Sequence, residues 1–68
     1  MNSLDLKWHA IEARRPPNQK LVVLRMAEAN DNIFYALGSW EPSISGWTYY
    51  AKPDAKEGIV IQWCFLPD

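Results

Sequence analysis

The chain reads as an all-β domain built on a small antiparallel sheet of four to five strands. Three observations predict this. Turn residues punctuate the sequence at Pro16-Pro17-Asn18, Asn30-Asp31-Asn32, Pro42-Ser43, Ser45-Gly46 and Lys52-Pro53-Asp54. Proline fixes φ there, and Asn or Gly tolerates the left-handed region. The segments between are short, apolar and rich in β-branched and aromatic residues. Finally, the connections are too short for parallel crossovers, so neighbouring strands are expected to pair by hairpins.

Taken in order, the N-terminal stretch has two readings. Leu4, Leu6, Trp8 and Ala10 alternate as in a strand, while Leu4, Trp8 and Ile11 also fit a helical stripe with Ser3 as its N-cap. Pro16-Pro17 ends either one, and an extended segment around Trp8 is the preferred reading. Lys20 to Met26 is a β-branched run bounded by turns, hence a strand. Ile33 to Leu37, leading towards Trp40, is a second, with Gly38 marking a bulge or bend. Trp47-Thr48-Tyr49-Tyr50 is a third. Ile59 to Phe65 is the strongest strand, and strict alternation places Ile59, Ile61, Trp63 and Phe65 on one face, opposite Val60, Gln62 and Cys64. Pro67 is expected to stop it. The stretch Ala51 to Gly58, with Lys52, Asp54, Lys56 and Glu57, reads as a solvated loop. The expected architecture is a meander or an SH3-like half-barrel.

With 68 residues, the chain forms a single domain, residues 1–68. Four Trp, three Tyr and two Phe supply much of its core, since each aromatic can bury about 150–250 Å². Seven basic residues stand against eight acidic ones, a net charge of −1. That balance lacks the excess expected of a nucleic-acid binder or a membrane-surface protein. Cys64 is the single cysteine, so no internal disulfide forms, which fits a reducing compartment. Met1 to Asp5 shows no basic-then-apolar signal pattern, and no apolar run approaches the roughly 20 residues of a membrane span. A soluble protein of the cytoplasm is expected.

Trp8, Ile11, Arg14 and Pro16 precede the strand Leu21-Val22-Val23-Leu24, and Ile61-Gln62-Trp63-Cys64-Phe65-Leu66-Pro67 closes the chain. This pattern resembles a family of small phage and prophage proteins, domain of unknown function 551. Trp8, Pro16, Trp63, Leu66 and Pro67 fit its anchor places, with Trp40 or Trp47 as the central Trp. Gln62 stands where that family often has His, and Gln19 where it often has Gly. The resemblance implies a phage or prophage origin, a compact β-rich fold and the cytoplasm of a bacterial host. It implies no activity.

Chemistry-bearing residues are sparse. His9 has no second His beside it, and a base or metal ligand needs partners. Cys64, between Trp63 and Phe65, reads as a structural thiol, and tetrahedral zinc would want four ligands. Asp5, Glu12, Glu28, Asp31, Glu41, Asp54, Glu57 and Asp68 form no paired-carboxylate motif. Three glycines build no phosphate loop. No catalytic site, metal or cofactor is expected. The residues that stand out are aromatic. Trp40, Trp47, Tyr49 and Tyr50 crowd one stretch, and Tyr49 and Tyr50 cannot both face inward. The core of so small a domain can consume most of these rings, the remaining one capping an edge; alternatively, rings left exposed mark a binding hot spot. The expected function is therefore that of a non-enzymatic protein that binds another protein through Trp40, Trp47 and Tyr50 with Arg14 and Arg15 as a polar rim. The family resemblance implies that it is a phage or prophage accessory protein and that its target is a host, defence or phage protein. Two alternatives stand beside it: a small β-barrel that stacks nucleic-acid bases, and a self-associating homodimer.

Overall fold

The computed structural model describes residues 7–54 and 56–66. Ser3, Leu4 and Leu6 of the two N-terminal readings, and Pro67, lie outside the described residues. The described chain is all-β. Its strands are β1 (His9–Ala10), β2 (Val22–Ala27), β3 (Ile33–Glu41), β4 (Gly46–Ala51) and β5 (Ile59–Phe65), with a 3-10 turn at Pro42–Ile44. They form one open antiparallel sheet of five strands in the order β1-β5-β2-β3-β4. The extended reading around Trp8 is the one observed, as His9 and Ala10 pair with Trp63 and Gln62.

Strands β2, β3 and β4 follow one another as a meander. The hairpin rule fails at the last step, because β5 does not pair with β4. It returns between β1 and β2, so Leu24 is flanked by Ala36 on one side and Trp63 on the other. Burial explains the choice. The most apolar strand takes a central place, where both of its edges are hydrogen-bonded.

Cross-strand partners share a face of the sheet. Val22, Leu24 and Met26 of β2 lie level with Gly38, Ala36 and Phe34 of β3. With Trp63 they form the buried core, against which Ile11, Trp47 and Val60 pack. We call this the inner face. The outer face carries Val23 and Arg25 of β2, level with Leu37 and Tyr35 of β3 and with Cys64 and Gln62 of β5.

The expected alternation in β5 is corrected here. Met26 pairs with Val60 and Arg25 with Gln62, leaving Ile61 as the extra residue of a bulge. A bulge reverses the facing of everything beyond it. Val60 therefore joins Trp63 and Phe65 on the inner face, and Ile59 turns to the outer face, where it is 70% exposed.

The segment from Ile11 to Lys20 covers part of the inner face. The Ile11 amide bonds the Ile61 carbonyl at 3.3 Å, and the Gln19 amide bonds the Trp40 carbonyl at 2.9 Å. Between these anchors Pro16 is buried. Gln19 has a positive φ of 61°, the left-handed conformation that glycine adopts most readily. At the far end, a Cβ on Gly58 would be driven into the Ala27 carbonyl and against the Phe34 ring. The expected irregularity at Gly38 is present. The register of β3 with β4 shifts between Leu37 and Gly38, and a Cβ on Gly38 would sit 2.6 Å from the Thr48 carbonyl oxygen.

Candidate functional site

The five residues singled out in the sequence do not form one face. Trp40 and Trp47 are cross-strand partners on the inner face, their rings edge-to-face at 5.1 Å. Both are half-buried. The Arg15 guanidinium lies 4.3 Å above the Trp40 ring, so Arg15 belongs with this pair. Arg14 sits elsewhere, 5.6 Å above Trp63 and 6.0 Å from Phe65. Tyr50 stands apart. Gly38 pairs with Tyr49 and Leu37 with Ala51, so Tyr50 is the extra residue of the β4 bulge. It is 80% exposed.

Hydrogen-bond geometry defines the edge these rings border. The Trp40 carbonyl accepts from the Gln19 amide, so the backbone polar groups of Trp40 point away from β4. In an antiparallel ladder the N–H and C=O of one residue point the same way, and partners alternate between bonded and non-bonded pairs. Trp40 and Trp47 are therefore a non-bonded pair, and Trp47 turns its own N–H and C=O to the open side. Tyr49, two residues on, does the same. Strand β4 lies last in the sheet order, and its residues, Gly46-Trp47-Thr48-Tyr49-Tyr50-Ala51, carry no charge. An exposed, uncharged, aromatic edge is a template for another strand. Beyond it, the Lys52 ammonium donates to the Lys56 carbonyl at 2.6 Å and lies 5.8 Å from the Tyr49 ring. Partial burial pushes the Tyr49 phenol above its ordinary value.

The outer face holds a cluster that the sequence reading missed. Arg25 lies 4.7 Å above the Trp8 ring and 5.7 Å from the Tyr35 ring. Its Nη1 donates to Gln62 Oε1 at 2.7 Å and its Nη2 to the Tyr35 hydroxyl at 3.3 Å. A signal for it exists in the sequence. Arg25 and Gln62 are polar residues set inside two otherwise apolar strands, and both strands prove central.

The remaining candidates resolve into structural parts. The His9 ring stacks on Trp63 at 4.6 Å. Cys64 is buried, and desolvation pushes its thiol above the ordinary value while the Arg25 charge draws it partly back. That combination gives an inert thiol rather than a nucleophile. Among the described residues no group of three or more His, Cys, Asp or Glu is placed to hold a metal ion. No helix among them is long and apolar enough to cross a membrane. No protein family, curated protein or solved structure matches this chain.

Proposed function

We propose that this chain is a non-enzymatic binding module that holds another protein by adding a strand to β4. One observation carries the reading: the outermost strand turns the backbone groups of Trp47 and Tyr49 to the open side and bears no charged residue. Strand addition uses such groups for affinity, and flanking side chains for selectivity. Tyr50, exposed at the bulge, and the Trp40–Trp47 pair supply the flanking rings. The phage or prophage origin, the host or defence protein as target and the bacterial cytoplasm as setting rest on the sequence resemblance. They belong to this proposal.

A second reading has its own support. Two copies of β4 can pair antiparallel about a two-fold axis at Thr48, which would set Trp47 of each copy opposite Tyr49 of the other. Aromatic cross-strand pairs stabilise such ladders by about 0.2–1 kcal/mol each. A homodimer is thus the competing occupant of the same edge. Nucleic acid has less in its favour, because Arg15 already lies over Trp40, a ring on which a base would stack, and the Trp63 ring beneath Arg14 is fully buried.

The test uses Thr48→Lys, which places on the edge the charge that natural sheets use to block pairing. Thr48 is exposed, so the fold should tolerate the change. Tagged wild type should retain a discrete protein from bacterial lysate, and the variant should lose it. Sedimentation of the pure chain across a concentration series separates the homodimer. Equal retention by both forms removes β4 from the account.

A further inference from the structure

We infer that the outer face is a docking site for an acidic, extended peptide segment of a partner protein, anchored by Arg25. It lies on the outer face of the sheet, reaches β4 only at Ala51, and needs no strand pairing.

The argument starts from the Arg25 side chain. A guanidinium offers five N–H donors. The two bonds it makes go to neutral groups, Gln62 and Tyr35. Among the described residues its buried Nε has no hydrogen-bond partner. Among the described residues no carboxylate pairs with it, the one ion pair being Lys56 with Glu28. Buried donors are satisfied in the great majority of cases, so an orphaned one calls for an explanation. Within the described residues, this half-buried cation is held only by neutral acceptors and two rings, with no counter-charge. A carboxylate supplies both the charge and the paired acceptors that the guanidinium fork matches.

The neighbourhood states the rest of the ligand. Beside Tyr35 lies an open concavity of about 400 Å³, lined by Val23, Tyr35, Leu37, Ala51, Lys52 and Pro53. Among the described residues its walls are apolar apart from one lysine, and no acid lines it. Tyr35 borders both the concavity and Arg25, so the two are adjacent. This chain's own acids Glu28, Asp31 and Glu57 gather elsewhere, around Ala27, Gly58 and Ile59. The pattern is therefore a cationic anchor next to an apolar seat, complementary to an Asp or Glu with a large apolar neighbour. The concavity is open rather than enclosed, which suits a peptide lying across the sheet.

The test is a ¹⁵N NMR titration of the full chain that follows the Arg25 Nε–H and the Trp8 indole N–H. The probe is acetyl-phenylalanyl-glutamate amide. Its control is the glutamine analogue, which has the same ring and no charge. The glutamate peptide should shift both resonances saturably, at least about tenfold more tightly than the glutamine one, and less tightly as salt rises. Arg25→Lys keeps the charge but loses the fork, and should weaken the response; Thr48→Lys should leave it intact, which separates this site from the β4 proposal. Equal shifts from the two peptides would overturn the inference. So would an unchanged response in Arg25→Lys, or binding of 3-phenylpropanoate without binding of the peptide.

Discussion

The indole N–H of Trp63 donates a 2.7 Å hydrogen bond to the Arg14 carbonyl, joining the centre of the last strand to the covering segment 49 residues earlier. Trp63 is fully buried, so this bond satisfies a polar group that water cannot reach. The His9 and Phe65 rings pack on the same indole at 4.6 and 4.9 Å. One side chain thereby fixes where the segment from Ile11 to Lys20 crosses the sheet.

Trp63→Phe should therefore cost more than its lost area. It leaves the Arg14 carbonyl without its donor and opens space beside His9. A loss of about 2–4 kcal/mol is expected, read from urea unfolding at unchanged slope. Trp47→Phe, at a half-buried position on the rim, should cost about 1 kcal/mol or less. Equal losses at the two sites would show that the covering segment is not held through Trp63.

Gln19 offers a backbone test. Its φ of 61° is left-handed, while its side-chain amide donates to Glu41 Oε2 at 3.2 Å on the surface. Gln19→Gly relieves the first at the expense of the second, and the net change should stay within about 1 kcal/mol. Gln19→Val cannot adopt this conformation cheaply and should lose about 1–2 kcal/mol. The comparison is read from thermal midpoints. A valine variant as stable as the glycine one would contradict the assigned conformation.

Cys64 sets a pH dependence. Burial raises its thiol above the unfolded value, so the folded chain holds this proton more tightly than the unfolded chain. The resulting stability is complete below the unfolded value, about 8.5. It is lost as pH rises from there through the folded value. Unfolding free energy should decline above about pH 8.5, and Cys64→Ala should decline less steeply there, whatever its overall cost. Tyr49 adds a similar decline at higher pH, its phenol also being raised. The native thiol should react with a thiol-specific dye only as fast as the sheet opens. Rapid labelling at neutral pH would show an accessible, activated cysteine instead.

Much of this sheet was legible one strand at a time. Ile59 to Phe65 has the bounds read from its β-branched and aromatic run, and β2 and β3 follow from the same signal. The Gly38 irregularity was legible too, because glycine inside a strand marks a close backbone approach. Long-range pairing was not. Nothing local says that β5 inserts between β1 and β2, since that choice depends on two buried edges outweighing a short hairpin. The Ile61 bulge has no glycine or proline to announce it, yet it decides which way Ile59 and Val60 face. The Arg25 cluster was hidden for the same reason. Trp8, Arg25, Tyr35 and Gln62 meet only once four strands are in register. Of the candidate site, the fold brings Trp40 and Trp47 together as a cross-strand pair. Arg15 joins them over Trp40, whereas Arg14 stands over Trp63 and Tyr50 on the β4 bulge.

Amide hydrogen exchange in β4 tests the central claim most directly, because it reads which backbone groups face outward. In the free monomeric chain the Trp47 and Tyr49 amides should exchange rapidly while the Thr48 amide, turned to β3, is slowed. Adding the captured protein, or raising the concentration if the partner is a second copy, should slow Trp47 and Tyr49. Trp47 as protected as Thr48 in the free monomer, or unchanged in the complex, would contradict the account.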